Sequence, residues 1–259
     1  MNGANGPSLE QVVLALVLVL IAVVAARFWK LNLTRDMLVS TARSFVQLIV
    51  VGYGLDFIFG IDAWWMIVLT VLVMMTTGAY TSVGRVKNLQ RSFPIAWIAI
   101  GAGSALTIAT MLLIDIIPFN SRYVIPLGGM IISNSMNAAA LTMNRLTSDI
   151  RGSSLAIETS LALGKSWRQA SRGFQREAAA AGTLSTLNMM KTVGIVSLPG
   201  AMTGMILGGA EPLEAVLLQI IVVYMLLSAT TITSIIAVEL TVRRFFTPQH
   251  QLRRFMTAK

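Results

Sequence analysis

The sequence predicts an all-α, polytopic membrane protein with about seven transmembrane helices, its N-terminus outside and its C-terminus inside. Three observations carry this. The chain of 259 residues is 55% hydrophobic, with a mean hydropathy of +0.74, more apolar than a soluble domain of this length. Its apolar residues gather in stretches long enough for a helix to cross about 30 Å of hydrocarbon, which takes about 20 residues. One threading of those stretches puts every Lys and Arg except Arg122 on the same side, out of 20 in all, and basic short loops mark the cytoplasmic face.

The spans follow in order. Span one is Ser8–Phe28 and span two Asp36–Phe59. Span three is Ala63–Gly84, span four Phe93–Ile117 and span five Arg122–Asn144. Span six is Lys191–Gly209 and span seven Leu213–Thr241. No basic residue precedes the first apolar run and Glu10 sits just before it, so Val12–Ala26 is expected to be a retained span and not a cleaved leader. Helices are required because an odd set of long continuous apolar runs does not alternate as a closed barrel must. The basic clusters are Arg27 to Arg43, Arg85 to Arg91, Arg145 to Lys191 and Arg243 to Lys259. The opposite loops hold Asp56, Asp62, Asp115, Glu211 and Glu214.

Polar residues inside the spans mark candidate pathway or packing faces. Span two carries Arg43 and Gln47 one turn apart; Arg43 can snorkel to the headgroups, whereas Gln47 needs a partner or water. Span five carries Met130, Ser133, Asn134, Met136 and Asn137 at its middle. Interhelical hydrogen bonding and the lining of a polar pathway are both open for this group. In span six Pro199 removes a backbone hydrogen bond and is expected to kink or break the helix. Gly200, Gly204 and Gly208 follow at intervals that let a helix approach closely or a hinge form. The 15 methionines are scattered through the spans and read as packing.

Several chemistries are excluded. A net charge of +9 is what cytoplasmic loops of a membrane protein require, and no basic face interleaved with aromatics points to nucleic acid. There is no cysteine, and the lone histidine, His250, cannot make a triad or a multi-histidine metal centre. No pair of carboxylates lies at mid-membrane for acid–base work or ion coupling. Gly164-Lys165-Ser166 resembles the end of a phosphate loop, but Thr159 stands where that loop needs its first glycine. The chain is therefore not expected to be an enzyme or to bind ATP.

The only long stretch between spans, residues 145–190, is too short for a catalytic domain with its own core. Ser153-Ser154 is placed to cap a helix over Leu155–Leu163, with Gly164 ending it. A second helix over Ser166–Ala181 carries Arg168, Arg172 and Arg176 on one face. Glu239 and Arg243 have the spacing of a helical ion pair.

Glu158-Thr-Ser-Leu-Ala-Leu-Gly164 resembles the EAA loop of ABC importer permeases, with Thr159 and Ser160 in place of the alanines and Phe174-Gln-Arg-Glu177 in place of the usual Ile-x-Leu-Pro. Further residues widen the likeness: Gln47-Leu-Ile-Val-Val-Gly-Tyr53, Ile125-Pro-Leu-Gly-Gly-Met130, Leu161-Ala-Leu-Gly164, Lys191-Thr-Val-Gly-Ile-Val-Ser-Leu-Pro-Gly200 and Met225-Leu-Leu-Ser228. From about Arg43 to Leu252 the chain resembles the FetB family of ABC permeases. That resemblance implies a single permease domain over 1–259, in a bacterial plasma (inner) membrane, whose 145–190 loop couples to a separate, FetA-like cytoplasmic ATPase. ATP and Mg²⁺ would be bound by that subunit, and none by this chain. Glu158, Leu161, Leu163, Gly164, Lys165 and Trp167 are the expected coupling residues. Two permease copies are expected to enclose the pathway. The resemblance implies iron export, while the spans hold no His or Cys and almost no central carboxylate and would offer bare iron only Met, Asn, Gln and backbone carbonyls; a chelated metal or a polar organic solute such as a nucleotide sugar stays open, as does a non-transporting scaffold or sensor.

Overall fold

The computed structural model describes residues 9–61, 63–86, 89 and 92–253. Of the charges used to orient the chain, Asp62, Lys87, Arg91, Arg254 and Lys259 lie outside the described residues. Helices account for every regular element among those described: α1 (Leu9–Leu14), α2 (Leu16–Phe28), α3 (Thr34–Ile61), α4 (Trp64–Gly84), α5 (Ser92–Leu113), α6 (Ser121–Gly152), α7 (Ser154–Ala162), α8 (Trp167–Thr192), α9 (Gly200–Leu207) and α10 (Pro212–Phe245). The chain divides into two units, residues 1–61 and 62–259.

The first unit is a helical hairpin. The stretch Glu10–Phe28 and α3 are each long and apolar enough to cross a bilayer. Ala26 is the one buried residue of α2 and α3 has none. Apolar side chains such as Leu18 and Leu48 point outward, as they must where the solvent is lipid and not water. Thr41 and Ser44 return their hydroxyls to the backbone carbonyls of Met37 and Thr41. Arg43 and Gln47 are both exposed on α3.

The second unit is a bundle of α4, α5, α6, α8 and α10, with α6 and α10 at its centre. One core cluster includes Ile100, Met143, Leu146, Ile150, Val242 and Phe245. A second, smaller one joins Met111, Ile117, Ile131, Val222 and Leu226. Helices α4, α5, α6 and α10 are long and apolar enough to span. Asn120 starts α6 by accepting a hydrogen bond from the Tyr123 N–H at 3.1 Å, a side-chain N-cap.

Span six departs from expectation. No continuous helix covers Lys191–Gly209. Helix α8 carries the chain from Trp167 to Thr192 and stops, Val193–Pro199 are non-helical, and the eight-residue α9 begins after Pro199. The break falls before the proline. Gly194 takes φ +82°, open to glycine at little cost, and Leu198 precedes a proline, which disfavours the helical region. The expected loop over 145–190 is likewise helical almost throughout: the end of α6, then α7, then most of α8, whose Ala178, Gly182, Thr183 and Thr186 are buried against the bundle. Non-helical backbone at such a place is tolerated where it borders protein or a wet cavity.

Side-chain pairing fixes the direction of the helices in this unit. Trp167, the first residue of α8, stacks on Phe246 just after α10, with ring centroids 5.7 Å apart. Glu177 on α8 reaches Arg145 on α6 at 3.6 Å. The ends of α6 and α10 and the start of α8 therefore share one end of the bundle. Arg145, Arg151, Lys165, Arg168, Arg243 and Arg253 gather there, but Lys191, expected in the same basic cluster, lies at the other end of the 26-residue α8. Glu239 bonds Arg243 at 2.6 Å, the helical pair expected from the sequence, and also meets Arg168 at 3.6 Å.

Candidate functional site

The structure puts the polar residues of span five on opposite sides of α6. Ser133, Asn137, Leu141 and Ser148 are exposed, and with half-buried Asn144 they recur every three or four residues along one face. Ser135 points the other way, is fully buried, and its hydroxyl has no partner. Asn134 is half-buried and donates back to the Met130 carbonyl at 2.9 Å. Met130 and Met136 are half-buried and pack against the two core clusters, so their thioethers act as core filling.

The exposed face is joined to α4 by Arg85. Its Nη1 donates to Asn137 Oδ1 at 2.7 Å, and its carbonyl accepts from Asn144 Nδ2, also at 2.7 Å. Beside it α4 presents exposed Thr77, Tyr80 and Thr81, the threonines bonded to Val73 and Thr77 carbonyls. Asparagine and arginine facing hydrocarbon cost several kcal/mol, on the order of +2.5 to +3.5 for arginine at mid-bilayer. The α4/α6 face therefore meets water or other protein. Gln47 lies in the first unit, and the other expected pathway residues in the second.

A buried polar layer, absent from the sequence reading, holds the centre of this unit. A Cβ at Gly182 of α8 would collide with Thr142 Oγ1 of α6 and Ser234 Oγ of α10 and sit 3.1 Å from the Ala138 carbonyl. A Cβ at Gly103 of α5 would strike Thr233 Oγ1 of α10 and lie 2.9 Å from the Ala229 carbonyl. Thr142, Thr233 and Ser234 are fully buried with hydroxyls that have no partner. The helices cross at these glycines because only hydrogen leaves room for backbones and hydroxyls to meet. A signal was available: Thr230-Thr-Ile-Thr-Ser234 is a hydroxyl run in an otherwise apolar span.

The glycine stripe chosen from sequence behaves differently. Gly200 and Gly204 have nothing within 4 Å of a built Cβ, and at Gly208 only the carbonyls of its own helix are close. Pro199 caps the start of α9 at φ −64°. The stripe packs against nothing in the described chain.

The coupling residues lie around the α7–α8 elbow. Ser153 occupies the N-cap of α7 without a side-chain cap bond, and the helix runs Ser154–Ala162. Its end is closed by Gly164 N–H to the Leu161 carbonyl at 3.0 Å and Lys165 N–H to the Ser160 carbonyl at 3.2 Å. Gly164 adopts φ +86°, the left-handed stop that favours glycine. Ser166 and Gln169 form a full capping box that starts α8. Ile157 is buried, and Leu161 and Trp167 pack on the main core. Arg168 lies over the Trp167 ring at 5.2 Å, and the Trp167 N–H donates to His250 Nδ1 at 3.4 Å. Glu158 and Lys165 are exposed. Leu155 and Leu163 are the apolar side chains left outside, 76% and 78% exposed. Replacing Gly164 by Ala is expected to cost about 1–2 kcal/mol from its left-handed conformation, read as a lower Tm of the detergent-solubilised protein.

Among the described residues no group of three or more His, Cys, Asp or Glu is arranged to hold a metal ion.

The chain is 39% identical over 243 residues to the probable iron export permease protein FetB of Escherichia coli, covering 94% of each chain. It is 41% identical over 239 residues to the protein ALUMINUM SENSITIVE 3 of Arabidopsis thaliana, covering 92% of this chain and 88% of that one. It is 40% identical over 240 residues to the UPF0014 membrane protein STAR2 of rice, covering 93% and 84%. No solved structure matches it. The model of the uncharacterised protein family UPF0014 matches residues 9–246, and the chain belongs to that family as an all-helical, multi-span membrane protein.

Proposed function

We propose that this chain is the permease subunit of an ATP-driven transporter in a bacterial plasma membrane. It works with a separate cytoplasmic ATPase, and two copies enclose the pathway. The observation that carries this reading is the α7 lever. Its two exposed leucines are Leu155 in the first turn of the nine-residue helix and Leu163 just past its end, at the basic end of the bundle. Ile157, Leu161 and Trp167 anchor that helix to the core, so a push on α7 reaches α6 and α8 without being absorbed by a loose loop. Paired apolar side chains on a rigid short helix are what a groove on a partner takes up. ATP and Mg²⁺ belong to the partner, and Glu158 and Lys165 offer charges at the rim of the contact.

The polar α4/α6 face with Ser133, Asn134 and Asn137 is the pathway wall in this reading, and a second copy supplies the opposing wall. The relative in Escherichia coli is named for iron export, and export of iron is the cargo this reading carries over. The test is ATP-dependent movement of ⁵⁵Fe in inverted vesicles holding this chain with its ATPase. Transport that needs both subunits and ATP supports the reading. Equal transport without the ATPase, or none with both present, overturns it in favour of a carrier or a non-transporting scaffold.

A further inference from the structure

Helix α8 runs from one end of the bundle to the other. Its first residue, Trp167, stacks on Phe246 at the basic end. Gly182, midway along, sits against Ala138 and Thr142 of α6 and Ser234 of α10. Met189 packs on the second core cluster with Ile117 and Val222. Met190 and Val193 share a cavity with Val216 and Gln219, in the first turns of α10. At 1.5 Å per residue the 26 residues of α8 rise about 39 Å, more than the roughly 30 Å of hydrocarbon. Yet the helices apolar enough to cross a bilayer by composition do not include α8. Its outer half exposes Ser185, Asn188 and Lys191, and among the described residues none bonds to these three side chains.

From this placement we infer that α8 is the sixth membrane crossing, in place of Lys191–Gly209, and that Ser185 and Asn188 form a further wall of the transport pathway, with Lys191 at its outer mouth. The inference rests on reading the α4/α6 face as the pathway, and it names the residues that extend that face.

Two contacts fix the register of α8 on α6. Arg145 meets Glu177 at 3.6 Å, and Gly182 lies between Ala138 and Thr142. In this antiparallel pair Ser185 is level with Asn137, and Asn188 with Asn134. The Arg145–Glu177 pair, more than half exposed at both ends, marks the open side of the α6/α8 seam. Ser185 and Asn188 follow Glu177 at eight and eleven residues, along the edge of α8 that borders α6. Met190 meets α10 on the opposite flank, and the exposed Leu187 lies one turn before it. Helix α6 packs on α4 and on α8, so its exposed Ser133 and Asn137 form the floor of a trough. Thr77, Tyr80 and Thr81 of α4 flank it on one side, Ser185 and Asn188 on the other. Lys191 is close enough to the helix end to snorkel out of hydrocarbon. Asn188 is not, and an unpaired amide facing lipid is costly. A helix this polar crosses because one face is buried in protein and the other is wet.

Single cysteines in the full-length permease, expressed without its ATPase, test both parts. Right-side-out and inverted membrane vesicles are treated with a membrane-impermeant maleimide. Lys191→Cys is expected to react from the outside, and Arg172→Cys, near the start of α8, only from the inside. Reaction of Lys191→Cys only from the inside, or from neither side, overturns the crossing. Ser185→Cys and Asn188→Cys are then treated with a charged methanethiosulfonate from each side. The thiolate is the reactive form and apolar surroundings suppress it, so both are expected to react at least about tenfold faster than a cysteine facing lipid. Leu106→Cys, exposed on α5, is that reference. Rates no faster than its own assign this face to lipid or to a dry protein contact and overturn the wall. With the ATPase added, complete modification of Asn188→Cys is expected to block ATP-dependent transport, and undiminished transport overturns the pathway role. Absence of ATP-dependent transport before modification is instead a failure of the proposed function, and leaves the labelling result standing.

Discussion

Leu155→Glu combined with Leu163→Glu is expected to abolish co-purification of the ATPase while leaving the permease folded and monodisperse. Both side chains are more than three-quarters exposed, so charging them disturbs no core contact. A buried apolar anchor at an interface is worth about 2 kcal/mol or more. The two losses together weaken association by about 1,000-fold at 1.4 kcal/mol per decade. Trp167→Ala should behave differently. It removes the stack on Phe246 and the seat of Arg168, so it loosens the elbow and lowers thermal stability. Its effect on ATPase binding comes only through that loosening. Deletion of residues 153–164 is cruder than the double substitution, because it also takes Ile157 and Leu161 out of the core, and is expected to lower the Tm as well as to abolish ATPase binding.

Gly182→Leu is expected to prevent assembly of the second unit. Even a methyl group at this position meets Thr142, Ser234 and the Ala138 carbonyl, and all three belong to α6 and α10, the helices at the centre of the bundle. Overpacking costs about 1–3 kcal/mol and occasionally more. A full leucine at the crossing of three helices belongs at or above the top of that range, against a total stability of roughly 5–15 kcal/mol. The measurement is the yield of monodisperse protein and its Tm. Gly204→Leu is the contrast: nothing lies within 4 Å of a Cβ there, so the fold should survive. If the stripe of Gly200, Gly204 and Gly208 packs against a second copy, that substitution lowers the dimer fraction and nothing else. A Gly182→Leu protein with an unchanged Tm would contradict the tight crossing described here.

The sequence reading succeeded where the physics is local. Continuous apolar length located six of the seven expected spans among the described residues, and the Gly164 stop and the Glu239–Arg243 pair follow from near neighbours in the chain. It fell short where tertiary packing decides. Pro199 marks the disturbance in span six, yet the break lies at Val193–Leu198, because Gly194 and the residue before the proline leave the helix first. The expected helix, Ser166–Ala181, stops short of the packed half of α8, which runs on to Thr192. Its true partner surface is set by Gly182, whose role shows only when Thr142 and Ser234 are brought beside it. Leu161, Leu163 and Trp167 look alike as apolar anchors in sequence, but the fold commits Leu161 and Trp167 to the core and leaves Leu163 and Leu155 outside.

The absence of native cysteine makes the lever directly measurable. Single cysteines at Leu155 and Leu163 can be labelled in cells with a membrane-impermeant maleimide, with and without the ATPase. No labelling of intact cells is predicted, with full labelling after permeabilisation and protection when the ATPase is co-expressed. Labelling of either position in intact cells would place α7 outside, beyond the reach of any cytoplasmic ATPase, and would contradict the account at its root.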